Sequence, residues 1–137
     1  MERVLTTIKG IFVAIGLAVV DMAGGWDMPL KALLLLIVLD YIGGVLHAAV
    51  DKRISSSIGF KGIAKKAYYL ILIGAVYALE QATVGTEYGH TALTLFLCVN
   101  EVISLMEHGQ ALGVAIPDGL RAWLDKALGK FGSGEPQ

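Results

Sequence analysis

The sequence predicts an all-α membrane protein with four transmembrane helices and a C-terminal amphipathic helix. The chain is 55% hydrophobic and 17% charged, whereas soluble domains carry about 25% charged residues. Its mean hydropathy is +0.67. The apolar residues fall into four segments of roughly membrane-spanning length, separated by short polar or glycine-containing stretches. The 137 residues suit a single unit, so we expect residues 1–131 to form one helical membrane domain and residues 132–137 to form a disordered tail.

The first segment, residues 4–22, follows a basic start and contains an uninterrupted apolar run. Lys9 lies inside it, but its amine can reach the headgroups along the flexible side chain. A short spanning helix is therefore the preferred interpretation. A cleaved signal peptide ranks second, because no clean A-x-A cleavage site follows. A helix that lies on the membrane surface ranks third, and it would leave three spans.

The second segment, residues 30–50, is apolar enough to cross a bilayer, and Pro29 suits its first helical turn. Asp40 nevertheless lies near its middle, and a histidine follows two turns later. Two glycines fall between them, and the spacing i, i+3, i+4, i+7 places all four residues on one helical face. This polar, small-residue face consists of Asp40, Gly43, Gly44 and His47.

Two further segments complete the predicted bundle. Residues 67–84 form the third span, with Glu80 near one end. Residues 91–107 form a short fourth span that contains Glu101, with Asn100 beside it. Asp40, Glu80 and Glu101 therefore place carboxyl groups inside three different spans.

The C-terminal segment, residues 117–131, predicts an amphipathic helix that begins at a proline. Its apolar residues recur at helical spacing, and charged residues occupy the rest of the circumference. We expect it to lie on the membrane surface. Packing against a partner subunit is the alternative.

Residues 51–66 form a predicted polar loop that concentrates positive charge, with five of the eleven Lys and Arg residues of the chain. The positive-inside rule therefore places this loop and both termini in the cytoplasm. The basic side chains of the loop are expected to contact anionic lipid headgroups, at about 1 kcal/mol each near such a surface. They are Lys52, Arg53, Lys61, Lys65 and Lys66.

The intramembrane carboxyl groups could carry the function of the protein. A charge near the bilayer centre costs about 2.5–3.5 kcal/mol on insertion scales, so such groups persist when they are protonated, paired or facing water. Either they line a pore or subunit interface, or they bond neighbouring helices and hold the bundle together. Both interpretations stay open for Asp40 and Glu101, whereas simple interfacial exposure is expected for Glu80. His47 is expected either to pair with Asp40 or to lie at the headgroups. The candidate residues for a pore or oligomer interface are Asp40, Gly43, Gly44, His47, Glu80, Asn100 and Glu101.

The sequence contains no motif typical of an enzyme. It has no nucleophile–base pattern, no HExxH motif and no paired-cysteine metal site, and residues 59–62 lack the Walker pattern. Cys98 is the only cysteine, so no disulfide can form within the chain. The formal net charge of −1 does not indicate a nucleic-acid partner. We therefore expect no catalytic residues, no metal and no cofactor.

Two ordered blocks of the sequence resemble a known family. Residues 40–66 read DYIGGVLHAAVDKRISSSIGFKGIAKK, and residues 100–124 read NEVISLMEHGQALGVAIPDGLRAWL. They contain an Asp-Tyr-x-x-Gly span, a basic serine loop with Gly-Phe-Lys-Gly, an Asn-Glu-x-x-Ser-x-x-Glu segment and a Gly-Val-x-Ile-Pro turn. This order resembles the phage-lysis and toxin-secretion holins, from residue 33 to about residue 128. The first segment carries no diagnostic match, and His47 is not a family hallmark.

The resemblance implies a small, non-enzymatic protein that accumulates in the bacterial cytoplasmic membrane and oligomerises into lesions at a set time. The lesions release or activate a cell-wall-degrading endolysin, a functional partner with no implied direct contact, and some relatives are linked to toxin export. When copies crowd, the polar and small-residue faces would turn towards shared interfaces or a hydrated lumen. The alternative is a small ion or proton channel, or a transporter subunit, that uses the same carboxyl groups.

Overall fold

The structure, a computed structural model, describes residues 1–22, 24–53, 55–83 and 88–132. Within these ranges the chain forms the five α-helices α1 (Glu2–Met22), α2 (Met28–Val50), α3 (Ser56–Ala82), α4 (Gly89–Ala111) and α5 (Asp118–Gly132). The first four helices are long and apolar enough to cross a membrane. The predicted all-α fold class is therefore confirmed. The predicted disordered tail lies outside the described residues, apart from its first residue, which ends α5.

Local signals in the sequence set two of the helix ends. Asp27 caps α2, because its Oδ1 accepts the N–H of Leu30 at 2.9 Å, and a proline occupies the first turn. At the end of α4, Gly113 adopts φ +88°, a conformation that favours glycine. The N–H of Val114 then donates to the carbonyl of Gly109 at 2.8 Å, which closes a Schellman motif. This motif directs the chain from α4 towards α5.

The third span starts earlier than the sequence predicted. Residues 51–66 were expected to be a polar loop, but α3 begins at Ser56 and its apolar part begins at Gly59. Lysine, alanine and isoleucine are compatible with a helix, and no proline interrupts this stretch. The extension matters because it places Lys66 within the spanning helix.

Helix α4 is the centre of the bundle. It packs against α2, α3 and α5, and α1 packs against α3. The apolar core consists of Leu30, Leu33, Ile73 and Leu97. These residues lie in the half of the bundle that holds the turn between α1 and α2. The other half contains most of the candidate functional residues.

The outer surface of the bundle is apolar. No residue of the most apolar part of α1 is buried, and large side chains such as Phe12 and Leu35 are exposed. Outward-facing apolar side chains suit a protein that lipid surrounds, since lipid tails are as apolar as leucine. Helix α5 packs on α4 through the buried Leu124 and leaves Trp123 exposed. Packing within the chain thus accounts for one face of the predicted amphipathic helix.

Candidate functional site in the membrane-spanning bundle

Three charged side chains from three different spans meet inside the bundle. The ammonium of Lys66 on α3 donates to Asp40 Oδ2 on α2 at 2.7 Å and also to Glu101 Oε2 on α4. The side chains of Lys66, Asp40 and Glu101 are 16%, 7% and 2% exposed. We refer to these residues as the ion-paired cluster. It joins the three helices at one point and keeps all three charges away from the lipid-facing surface.

The positions of the two carboxylates along their helices place the cluster deep in the bundle. Asp40 lies one residue beyond the midpoint of α2, and Glu101 lies one residue beyond the midpoint of α4. A buried ion pair is stable only when its attraction and its hydrogen bonds offset the loss of hydration. Here a single ammonium serves two carboxylates, so the fully ionised cluster carries a net charge of −1.

The prediction that Lys66 contacts lipid headgroups is wrong, because its ammonium lies in the ion-paired cluster. On helix α3, Lys66 precedes Tyr69, Leu70 and Ile73 by three, four and seven residues. These are the residues that pack on the apolar core. Lys66 therefore lies on the buried face of its helix. The other predicted headgroup residues are all exposed, namely Lys52, Arg53, Lys61 and Lys65.

Two histidines extend the ion-paired cluster to the end of the bundle. His108 Nε2 on α4 lies 3.5 Å from Asp40 Oδ1, and His108 Nδ1 lies 3.1 Å from Nδ1 of His47 on α2. His47 Nε2 in turn lies 3.1 Å from Oδ2 of Asp51, which also accepts from Arg53 at 2.6 Å. The expected pairing of His47 with Asp40 is therefore replaced by contacts with His108 and Asp51. The hydrogen bond from Arg53 lowers the pKa of Asp51 from its usual value.

The two glycines of the polar face allow α4 to approach α2 closely. A Cβ atom on Gly43 would lie 3.4 Å from Leu105 Cδ2, and one on Gly44 would lie 3.3 Å from His108 Nε2. The polar face of α2 thus packs against α4 of the same chain in this structure. Small residues serve helix contacts in membranes because they let backbones come together.

Glu80 lies at the opposite end of the bundle and does not join the cluster. Its Oε1 accepts the backbone N–H of His90 at 2.7 Å, and its Oε2 lies 2.5 Å from His90 Nδ1. The Glu80 side chain is 6% exposed, so the predicted interfacial exposure is wrong. A carboxylate from α3 therefore satisfies a backbone donor in the first turn of α4, where the helix dipole also favours negative charge. Asn100 is half-buried on α4, next to Glu101.

Sequence reasoning missed Lys66, His90 and His108 as partners of the buried acids. A signal for His108 was present, because it follows Glu101 by seven residues and shares its helical face. Lys66 was missed because residues 51–66 were treated as a loop rather than as part of α3. His90 follows the short stretch between the third and fourth predicted spans, and such a stretch gives no spacing rule that would bring His90 to Glu80.

The chemistry available at this site is proton binding and ion pairing. Among the described residues, no group of three or more His, Cys, Asp or Glu side chains could hold a metal ion. The carboxylates, imidazoles and ammonium instead form a row of close polar contacts from the middle of the bundle to Asp51.

Comparison with known proteins establishes the family. The chain matches the bacteriophage holin family over residues 8–128, which is most of its length. This chain belongs to the bacteriophage holin family. The resemblance seen in the two sequence blocks is therefore confirmed. The family is generally non-enzymatic, and the match together with four apolar helices supports a holin-like, multi-pass membrane protein.

Relatives of this holin-family chain occur in several bacteria. It is 36% identical over 131 residues to an "uncharacterized 14.9 kDa protein in nagH 3′ region" of Clostridium perfringens, covering 95% of this chain and 99% of the relative. An uncharacterized protein of Listeria monocytogenes is 35% identical over 98 residues, or 72% of this chain and 70% of the relative. A Halalkalibacterium halodurans protein is 30% identical over 128 residues, which cover 88% and 91% of the two chains. No solved structure matches.

Proposed function

We propose that this protein is a holin that accumulates in the bacterial cytoplasmic membrane as a sealed bundle and then oligomerises into lesions. The lesions release or activate an endolysin for host lysis, or permit protein export. The observation that carries the proposal is the ion-paired cluster, which holds three charges inside an otherwise apolar exterior. A bundle of this kind can collect in a bilayer without perforating it.

Opening of the bundle would change where these charges are stable. If α2, α3 and α4 separate, each unpaired charge facing lipid costs about 2.5–3.5 kcal/mol on insertion scales. A water-filled space between several copies removes that cost, so separated helices favour assembly around a hydrated lumen. The lumen or interface would then present the residues Asp40, Gly43, Gly44, His47, Lys66, Glu80, Asn100 and Glu101.

The orientation of the bundle follows from its basic residues. Positive-inside charge places both termini and residues 51–55 on the cytoplasmic side. The exposed basic side chains near this end, Lys52, Arg53, Lys61 and Lys65, would contact anionic headgroups. The His47 and Asp51 end of the polar chain would then face the cytoplasm.

Expression in bacteria with and without a separately encoded endolysin tests the proposed function. A holin gives delayed, abrupt lysis with the enzyme present and growth arrest without it. An ion channel or transporter subunit gives no enzyme-dependent lysis. We expect Asp40→Leu and Glu101→Leu proteins to insert but to lyse at the wrong time or not at all, because the balance between sealed and open states changes.

The control for these variants is Asp125→Leu, which also replaces an acid by leucine but acts at an exposed position of α5. It should insert and lyse on the wild-type schedule. Normal lysis timing in both Asp40→Leu and Glu101→Leu would contradict a role for the cluster. The absence of lysis in the wild type, with endolysin present and membrane insertion verified, would contradict the holin function itself.

A further inference from the structure

A groove with an entirely apolar lining lies between α1, α2 and α3, and its volume is about 290 Å³. Within the described part of the chain, α1 packs on α3 while α2 packs on α4, so a gap remains between α1 and α2. We refer to this gap as the apolar groove. It is lined by Gly16, Val19, Val20, Leu30, Leu34 and Leu70.

The apolar groove requires an occupant other than water. Its lining offers no polar group, and cavities of this kind stay dry. An empty groove would also leave its lining atoms without dispersion contacts on one side. In a bilayer the surrounding medium consists of acyl chains, which are as apolar as leucine. A dry cavity of about 150 Å³ holds a benzene molecule, so a groove of about 290 Å³ can hold a segment of an acyl chain.

A cation lies beside the groove at the start of α2. Lys31 precedes Leu34 by three residues, so the two side chains are neighbours on the helix surface, with Lys31 nearer to the helix start. Lys31 is exposed, and its ammonium lies 5.8 Å from the centroid of the Trp26 ring. Because tryptophan is enriched at the membrane–water interface, this contact places the ammonium at headgroup level.

The Lys31 ammonium is available to an external anion. Among the described residues it forms no ion pair with a carboxylate. Asp27, one turn earlier in the chain, uses its Oδ1 to accept the N–H of Leu30 at 2.9 Å. A phosphate group would supply the charge and the acceptor oxygens that an ammonium binds most strongly.

We propose that the apolar groove binds one phospholipid, with an acyl chain between α1 and α2 and the phosphate on Lys31. A mostly apolar site with a single polar group that fixes orientation is the usual pattern of small-molecule sites in proteins. A helix from a second copy would fill the groove but would leave the ammonium without an anion. Only the choice of the outer leaflet depends on the proposed orientation, and lipid binding can be measured without lysis.

Photolabelling of the full-length protein in maltoside micelles tests the site. The probe is phosphatidylglycerol with a diazirine in one acyl chain, and labelled residues are mapped by mass spectrometry of peptides. We expect saturable labelling concentrated at Val19, Leu34 and Leu70, rather than at exposed residues of the spans such as Phe12 and Leu35.

Gly16→Leu should abolish this labelling, because the new side chain would occupy the groove. A Cβ atom at Gly16 meets no atom within 4 Å, so the substitution should not strain the bundle. Gly10→Leu is the matched control, since a Cβ there is equally free of neighbours but lies outside the groove lining. It should label as the wild type does, and circular dichroism should show the same helix content in both variants.

Lys31→Met should raise the lipid concentration for half-saturation about tenfold, because a charge-assisted hydrogen bond is lost. Lys126→Met, at an exposed position of α5, should bind as the wild type does. A photoreactive diacylglycerol with the same chains should bind the wild type as weakly as the phospholipid binds Lys31→Met.

Three results would overturn the proposal. The first is equal groove labelling in Gly16→Leu and the wild type, or even labelling along all exposed spans. The second is equal binding of the diacylglycerol and the phospholipid by the wild type. The third is a wild-type groove that the probe does not label while copies of the protein cross-link through α1, which would assign the groove to a second copy.

Discussion

Lys65 and Lys66 are adjacent in the sequence but lie in opposite environments. Lys65 is exposed on α3, whereas the Lys66 ammonium is enclosed by two carboxylates. Removing one member of a buried ion pair is more damaging than its net contribution suggests, because the remaining charges stay buried without a partner. This contrast makes the two lysines a matched pair for experiment.

We expect Lys66→Met to lower the free energy of unfolding by about 3–5 kcal/mol, the range observed when one partner of a buried ion pair is removed. Lys65→Met should change it by less than about 0.5 kcal/mol, as is usual for an exposed site. Unfolding of both variants by sodium dodecyl sulfate in mixed micelles, followed by circular dichroism, measures the difference.

The triple variant Lys66→Met/Asp40→Asn/Glu101→Gln should recover much of that stability, because no unpaired charge remains. Equal effects of Lys65→Met and Lys66→Met would show that the buried ion pairs do not hold the bundle together.

At the scale of the element, the close contact between α2 and α4 is the feature of the bundle that a single substitution tests most directly. Sequence periodicity predicted the four-residue face of α2, because its spacing is a local property of a helix. It could not tell whether this face meets α4 of the same chain or another copy, because that depends on how separate helices pack. The structure places Gly43 and Gly44 against Leu105 and His108 of the same chain.

Gly44→Val should push α4 away from α2, since even its Cβ atom would lie 3.3 Å from His108 Nε2. Overpacking of this kind costs about 1–3 kcal/mol. The native Cys98 can report the change, because it is half-buried and its Sγ donates to the Pro29 carbonyl of α2 at 3.7 Å. On heating with a thiol-reactive fluorophore, the variant should label at a lower temperature than the wild type.

Gly10→Val in α1 is the control for this substitution, because no atom lies within 4 Å of a Cβ built there. It should label at the wild-type temperature. The same labelling temperature for Gly44→Val and the wild type would contradict the close contact.

At the scale of the whole molecule, composition was sufficient to predict the fold class. It could not identify the residues that pair with the buried acids. Asp40 and Glu101 were found because a charge among apolar residues is conspicuous in any sequence. Lys66 was missed because a lysine beside other lysines resembles an ordinary basic loop until α3 is extended through it. An intramembrane acid persists when it is protonated, paired or facing water, so a search for a pairing cation in the neighbouring spans would have been justified.

The orientation of the bundle gives a prediction at this scale. In a Cys98→Ser background, single cysteines at Trp26 and Tyr88 should react with a membrane-impermeant maleimide in intact spheroplasts. Cysteines at Lys52 and Val114 should react only after permeabilisation, because the positive-inside rule places them in the cytoplasm. All four positions are exposed and lie outside α1 to α4. The reverse labelling pattern would show that the bundle has the opposite orientation.

The arrangement of the ion-paired cluster also has a consequence for synthesis of the protein. Asp40, Lys66 and Glu101 leave the ribosome in that order, and Asp40 precedes its lysine by 26 residues. At about 5–20 residues per second, the aspartate waits about 1–5 s for its counter-ion. Lys66 then enters the membrane with Asp40 already in place, and Glu101 enters it with the Lys66 ammonium already in place. The alternation of acid, base and acid along the chain therefore lets each later span insert beside a partner that has already arrived.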